Sequence, residues 1–457
     1  MNYLVLDTNV LLLDHNNLLA LGSVPDTTII LAETVLEEMD AKKHGLNELA
    51  FQSRSFGRLL SKADVLKVEQ TDIATESTLK LFGINIIVVT LQKYDIDTSK
   101  DSKNDQKIIE VAKYSKRVLG ATTLMSNDVM MRLRAIADGL IVADFKEVDK
   151  VDYEFTKTLE VTDDTFRNLH GKNIMEIDPD HKVEHYNYKF TTPLSAQMKI
   201  ASINNETINI LGKETEAELR KQSVNPSNAD QLLLSRAILD PAMDLIVCEA
   251  LAGSGKTLVS LSNAMRLVKS NSPYTSIIYI RASINDVEAI EEVGFLPGSA
   301  EEKNSVYFHP LYDSLDFIAR RKFKASNVKG KELEEKIAEQ VKKIIEDCNI
   351  STLTGLGMRG RTFNDAVVIL DEVQGMSRSS LQKVLTRFGK NCKVILIGSN
   401  NQIDNPNMTK FTNGLSVILN DCANNIGDSI NKHVVPLHRV VRSNFAEYAE
   451  RLFSKEH

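Results

Sequence analysis

Cysteine is scarce in this 457-residue chain: Cys248, Cys348, Cys392 and Cys422 stand far apart, with no CxxC pair and no histidine at zinc-ligand spacing. That argues against a structural zinc site and reads as reduced thiols in a reducing compartment. Positive charge is not in excess either. Lys and Arg total 55 against 62 Asp and Glu, so the formal charge is −7 and a basic nucleic-acid coat is excluded; any such contact must be local. No uninterrupted apolar run reaches the ~18 residues of a membrane span. The first residues lack a basic leader, and Asp7 and Asp14 interrupt the apolar stretch a signal peptide needs. The expectation is a soluble, cytoplasmic protein with no membrane partner.

What is present is ordinary globular material, 42% hydrophobic and 26% charged. At ~150 residues per domain the length suggests about three domains. From residues 2 to 145 the strand-like runs YLVLD, INIIVVT, VLGATTLM and LIVADF alternate with helical TVLEEMDAKK, DQKIIEVAKYSK and DVMMRLRAIADG. Such alternation predicts an α/β domain, a parallel sheet with crossover helices. Residues 146–224 are polar with short β-branched runs, either a linker or a small β module. From residue 225 to 457 the alternation returns, with LIVCEA, TSIIYIRA, AVVILDE and KVILIGS as strands of a second parallel-sheet α/β domain. No period of 20 to 50 residues repeats along the chain.

The sharpest local signal is Ala250-Leu-Ala-Gly-Ser-Gly-Lys256-Thr257, placed between the strand LIVCEA and the helical run LVSLSNAMRLVKS. Strand, glycine loop and a Lys-Thr opening a helix is the context of a phosphate-binding P-loop. Gly253, Ser254 and Gly255 would close backbone N–H groups on the phosphates of ATP, Lys256 would reach the β/γ oxygens and Thr257 would ligate Mg²⁺. The usual first glycine is Ala250 here, which fits if that position needs no positive φ.

AVVILDE ends a buried-strand pattern on Asp371 and Glu372. Asp371 is placed to hold Mg²⁺ through water, and Glu372 to polarise the attacking water. Gln402, beyond the strand KVILIGS, would sense the γ-phosphate. Arg439 and Arg442 form an i, i+3 pair suited to stabilising charge on a transferred phosphoryl group, and Gln231 is placed to read the adenine edge.

These residues carry a resemblance. The segment from about residue 225 to 445 resembles the PhoH family of P-loop ATPases, through Gly294-Phe-Leu-Pro-Gly298, His309-Pro-Leu-Tyr-Asp313, Met358-Arg-Gly-Arg-Thr362, Ile369-Leu-Asp-Glu372-Val-Gln374, Leu385-Thr-Arg387 and Gln402-Ile-Asp404 in family order. Where the family has Gly-Asp before Gln-Ile-Asp, this chain has Gly398-Ser399.

In the first domain Asp7, Glu37, Asp105 and Asp128 each sit at the edge of an expected element, where an open sheet can gather them at its C-terminal edge. Carboxylates so gathered repel and need a counter-charge. Hard oxygen ligands favour Mg²⁺ or Mn²⁺, which can activate water for in-line attack on a phosphodiester. Glu38 competes with Glu37, because helix phase decides which faces inward. The set resembles the PIN nuclease domain over residues 1–145: Asp7-Thr-Asn9, Val35-Leu-Glu-Glu38-Met-Asp40, Asn104-Asp105 and Ser126-Asn-Asp128. The resemblance implies that Asp7, Glu37, Asp105 and Asp128 are catalytic metal-binding acids, with Asn9 and Ser126 in support.

A PIN domain followed by a PhoH ATPase implies ATP-dependent RNA unwinding and cutting of single-stranded RNA, by a homo-oligomer expected to be a hexameric ring. Two alternatives stay open: a nucleotide-switched nucleic-acid-binding ring with weak turnover, and a nuclease acting on DNA. Residues 320–331 hold six basic side chains and no acid, and with Phe323 they form a candidate nucleic-acid patch.

Overall fold

The computed structural model describes residues 2–44, 48–96, 103–145, 153–193, 195–220, 224–282, 308–324, 328–354, 360–403, 413–424 and 430–453. The chain divides into two compact units, Met1–Val148 and Asp149–His457.

The first unit is built on seven strands: β1 (Asn2–Leu6), β2 (Thr27–Ala32), β3 (Asp64–Gln70), β4 (Ala74–Leu81), β5 (Ile84–Leu91), β6 (Thr122–Met125) and β7 (Ile141–Ala143). Their order is β3-β4-β5-β2-β1-β6-β7. The centre is parallel, with β1 between β2 and β6, as the strand-helix alternation predicts. Strand β2 is buried at every position, the signature of a strand covered on both faces. Ile29, Ile30 and Leu31 there are fully buried, each such side chain contributing roughly 1.5–3 kcal/mol. The wing is different: β4 runs antiparallel to both β3 and β5. The edge strand β3 is exposed throughout, Val65, Leu66 and Val68 included, so its apolar residues follow no one-face alternation that would announce it.

The second unit holds two sheets. Strands β8 (Thr156–Glu160), β9 (Asn187–Thr192), β10 (Ser195–Asn204) and β11 (Thr207–Ile210) form one, ordered β11-β10-β9-β8. Its small core gathers Phe166, Leu169, Tyr188, Phe190, Ala201 and Ile208. The other sheet is parallel throughout: β12 (Leu245–Glu249), β13 (Ser276–Arg281), β14 (Ile350–Thr354), β15 (Ala366–Asp371), β16 (Cys392–Gly398) and β17 (Lys432–Val434), ordered β14-β13-β15-β16-β12-β17. Side chains alternate strictly between two cores. Ile246, Tyr279, Ile369 and Ile395 enter one, and Val247, Ile280, Leu370 and Leu396 the other.

The smaller sheet is fastened to the larger by buried polar contacts. Asn187 Nδ2 donates to the Val434 carbonyl at 2.7 Å, and His433 Nε2 lies 2.9 Å from Asn187 Oδ1. The Tyr186 hydroxyl donates to the Cys422 carbonyl at 2.9 Å, Lys189 pairs with Asp230 at 2.5 Å, and Arg236 donates to the Asn209 carbonyl at 2.7 Å. Among the described residues no helix is long and apolar enough to cross a membrane, and the four cysteines form no disulfide.

Candidate functional site

Each unit carries its own candidate site. In the first, Asp7 follows β1 and its amide is held by the Met125 carbonyl at the end of β6, so the ends of two adjacent central strands fix it. Its carboxylate is buried and accepts from Ser126 Oγ at 2.6 Å. Asn9 Nδ2 donates to the same Ser126 Oγ at 3.2 Å, while Asn9 Oδ1 accepts from the Asn127 amide at 3.2 Å. Asp128 caps the helix Val129–Ala137, accepting from the Met130 amide at 2.7 Å. Asp105 lies in the first turn of the helix Lys103–Val118 and is approached by Arg134 Nη1 at 3.3 Å.

The fourth acid is decided by helix phase. On the helix Glu33–Ala41, Glu37 is exposed, whereas the half-buried Glu38 accepts from Thr8 Oγ1 and, at 2.7 Å, from Asn104 Nδ2. Of the two competing glutamates, the structure turns Glu38 toward Thr8 and Asn104 and leaves Glu37, one helical position (about 100°) away, exposed. Charge ties the set together. Burial pushes the Asp7 carboxyl up to about 6, against the Ser126 hydrogen bond and with help from Asp105 and Glu38. Asp105 is raised too, first by burial and then by Asp128. Among the described residues no three His, Cys, Asp or Glu side chains close on one point. What fits a hard divalent cation is the donor chemistry: carboxylate oxygens whose mutual repulsion and burial such an ion relieves.

In the second unit the chain leaves β12 into the glycine loop. Gly253 and Gly255 have φ of +70° and +84°, the left-handed conformation glycine adopts without penalty, and Gly255 caps the helix Lys256–Lys269. Ala250 is not among the positive-φ residues, which explains why alanine serves at that place. Ser254 is fully buried, and among the described residues its hydroxyl has no hydrogen-bond partner. An orphaned hydroxyl in a loop of this shape fits a bound phosphate.

Thr257 Oγ1 donates to Asp371 Oδ2 at 3.1 Å, joining the helix start to the tip of β15. Asp371 is buried, and burial followed by the Glu372 charge raises its carboxyl above the ordinary range. Glu372 has φ +59°, a left-handed conformation that costs a non-glycine residue about 1–3 kcal/mol and clusters at functional sites. Gln374 Nε2 donates to Glu372 Oε2 at 2.6 Å and to the Gln402 carbonyl at 2.9 Å, and its Oε1 accepts from the Ser399 amide at 3.1 Å. Gln374 thus links the exits of β15 and β16, a role its place in the motif does not disclose.

Gln231 is placed otherwise than a base-reading side chain. Its Oε1 accepts from the Ser227 amide and hydroxyl at 2.8 and 3.0 Å, and its Nε2 donates to the Ser254 carbonyl at 2.8 Å. It braces the loop from within the protein. Arg439 and Arg442 are exposed on a segment that reaches the loop: the Val441 and Arg442 amides donate to the Gly253 carbonyl at 2.9 and 3.0 Å.

The basic block is largely engaged. Arg320 is held by Asp316 at 2.6 Å and Glu334 at 2.7 Å, Lys322 donates to Gln340 at 2.7 Å, and Phe323 packs against the core instead of offering a stacking face. Motif residues 294–298, Met358, Arg359 and Asp404 lie outside the described residues.

Comparison with known proteins matches a PhoH-like protein family over residues 223–454 and a PIN domain family over residues 4–146. A protein named PhoH2 from Bacillus subtilis is 28% identical over 433 residues, covering 91% of this chain and 92% of that one. A second PhoH2, from Thermobispora bispora, is 24% identical over 423 residues and 91% and 89% of the two chains. A PhoH-like protein of Bacillus subtilis is 37% identical over 174 residues, 38% of this chain and 47% of its own.

Proposed function

The chain belongs to the PhoH-like protein family and carries a PIN domain ahead of its P-loop domain, and on that premise we propose that it is an ATP-dependent RNA-processing enzyme. The PIN domain, residues 1–145, cuts single-stranded RNA with Mg²⁺ or Mn²⁺; the PhoH domain, residues 225–457, hydrolyses ATP and unwinds or remodels RNA; residues 146–224 include the β module that joins the ATPase sheet. The observation that carries the reading is the buried, proton-hungry Asp7 beside Asp105 and Glu38 on one unit, with the Thr257–Asp371 pair behind a glycine loop on the other.

In the nuclease, Asp7, Glu38, Asp105 and Asp128 would hold the cation, with Ser126 fixing the Asp7 carboxylate and Asn9 supporting Ser126. A divalent ion, when bound, supplies Lewis-acid activation of water and phosphate. In the ATPase, the amides of residues 253–257 and Lys256 bind the phosphates. Thr257 and Asp371 would hold Mg²⁺, Glu372 would orient water, Gln402 would sense the γ-phosphate, and Arg439 and Arg442 would stabilise the transferred charge. A cytoplasmic setting belongs to the same reading. The exposed stripe Phe445, Tyr448 and Leu452 on the helix Asn444–Phe453, beside the loop, supports assembly of copies into a ring, the hexamer being the expected number.

The test is cleavage of an end-labelled single-stranded RNA with Mg²⁺ or Mn²⁺, with and without ATP. Asp7→Asn and Glu38→Gln should abolish cutting while ATPase persists, Glu37→Gln should spare it, and Lys256→Ala should remove ATP hydrolysis. Cutting that survives Asp7→Asn sinks the nuclease assignment. Ser399, in the place of an aspartate, favours the rival reading of a nucleotide-switched ring with weak turnover; phosphate release with and without RNA separates the two. Competition between RNA and DNA oligonucleotides decides against or for a DNA nuclease.

A further inference from the structure

Tyr279 sits in the middle of β13, a strand whose neighbours are Ile277, Ile278 and Ile280, and it is fully buried. A tyrosine hydroxyl there must find a partner or remain desolvated at a cost of about 1–3 kcal/mol. The register shows which partner it reaches. Arg281 stands opposite Asp371 on the adjacent parallel strand β15, and Tyr279 stands opposite Ile369. Tyr279 and Asp371 therefore share one face of the sheet, offset by two residues along it, roughly 6–7 Å. A tyrosine side chain spans that offset. Its hydroxyl donates to Asp371 Oδ2 at 2.5 Å, and its ring is held edge-on by Phe308, 6.1 Å between centroids.

Asp371 Oδ2 then has two donors, Tyr279 and Thr257, and Oδ1 has a third in the Glu372 amide at 3.0 Å. Two donors from other elements, a strand and a helix, together with the amide of the very next residue, fix both the position and the plane of one carboxylate. Thr257 donates its proton to Asp371 and keeps its oxygen lone pairs for a cation. The Tyr279 hydroxyl has no such second duty: it approaches from the sheet, behind the carboxylate. Nothing in a run such as SIIYIR distinguishes this tyrosine from an ordinary core aromatic.

We infer that Tyr279 is a positioning residue of the nucleotide site: it locks the Asp371 carboxylate in the orientation that receives the hydrated Mg²⁺ of the bound nucleotide. The inference rests on the ATPase reading above. With the hydroxyl removed, Oδ2 keeps only Thr257, the carboxylate can turn, and holding the hydrated ion must include the cost of re-orienting it. The ring contributes packing alone, so Tyr279→Phe removes the positioning without emptying the core.

The experiment is binding of a fluorescent ADP analogue to the full-length chain, titrated with MgCl₂, for wild type, Tyr279→Phe, Asp371→Asn and the double variant. The expected result is an unchanged Mg²⁺-free affinity for Tyr279→Phe and a half-saturating Mg²⁺ concentration raised about tenfold, the scale of one hydrogen bond to a charged group. In the Asp371→Asn background the same change should add nothing, because the residue through which Tyr279 acts has lost its charge. A merely structural role predicts the same loss in both backgrounds and a lowered Mg²⁺-free affinity. Wild type that binds the analogue without any response to Mg²⁺ overturns the Mg²⁺-nucleotide reading itself. Wild type that responds, beside a Tyr279→Phe protein with the same or a lower half-saturation, overturns the role of Tyr279 alone.

Discussion

Gln231 and Ser254, 23 residues apart in sequence, are joined by a hydrogen bond of 2.8 Å from the glutamine amide to the loop carbonyl, which couples the helix Ala229–Leu239 to the phosphate loop. The same glutamine takes two donors from Ser227 on its oxygen. Gly255 stands at φ +84°, and a Cβ there would meet Gln231 Nε2 at 2.9 Å, so a side chain would strain the loop and displace the brace. Gln231→Glu puts a carboxylate oxygen where the amide N–H stood, facing a carbonyl, and leaves Ser254 O without its donor. Nucleotide affinity should fall about tenfold, the cost of an unmet buried polar group, and calorimetric titration with ADP reads it. An unchanged affinity would remove Gln231 from the support of the loop.

Asp7 illustrates a site at odds with the stability of its own fold. Its carboxyl is raised from 3.8 to about 6, so between those pH values the folded protein holds a proton the unfolded chain has released. Stability therefore falls as pH rises through that window, and above it the cost is complete, up to about 3 kcal/mol from a shift of this size. Asp7→Asn removes the cost, and an asparagine oxygen can still accept from Ser126. In EDTA at pH 8, calorimetric unfolding of the full chain should show a transition displaced upward by several degrees in Asp7→Asn, and the gain should shrink at pH 4. A gain that is the same at both pH values would mean that ionisation of Asp7 is not its source.

The central parallel strands, the glycine loop and the Asp371 tip were legible because their signals are local: buried β-branched runs for strands, and glycines where φ must be positive. Glu38 was harder, since Glu37 and Glu38 are adjacent and only the helix phase set by buried Thr34, Val35 and Met39 turns one of them inward. Strand β3 was silent because every residue in it is exposed and no apolar alternation results. Tyr279, Gln374 and the bracing role of Gln231 are tertiary facts. Each depends on which strand or loop lies alongside, and no spacing within the motif encodes that.

The seam between the four-stranded sheet and the ATPase sheet should be acid-sensitive. Burial lowers the His433 imidazole from 6.5 to about 4, while its Nε2 faces Asn187 Oδ1. The folded state cannot take up the proton that the unfolded chain accepts between those values, so this contribution is intact above pH 6.5 and is lost as pH falls toward 4. The magnitude is at most about 3 kcal/mol for a shift of this size. His433→Gln keeps a donor for Asn187 without a titrating group. The fall in Tm between pH 7 and pH 5 should be smaller than in wild type by a few degrees, with part of the remainder coming from His181, His185 and His438, which burial also lowers. A wild-type-like fall would place the acid sensitivity elsewhere.

Gly253 and Arg442 meet where the last described segment crosses the phosphate loop, and two substitutions there should fail in different ways. Gly253 is held at φ +70° and receives the Val441 and Arg442 amides on its carbonyl. An added Cβ would stand 3.1 Å from Arg442 Cβ and 3.3 Å from Val440 Cγ1, so alanine must both strain the backbone and push the segment away. Gly253→Ala should therefore weaken ADP binding about tenfold, in keeping with 1–3 kcal/mol of left-handed strain. Arg442→Ala leaves the backbone donors in place and removes only the exposed guanidinium. If that group meets the charge of the transferred phosphoryl, ADP affinity should hold while kcat for ATP falls on the order of a thousandfold, the effect of losing an arginine that acts in the transition state. Equal losses of binding in both variants would make Arg442 a ground-state contact, and an unchanged kcat would pass the role to Arg439 or to a neighbouring copy.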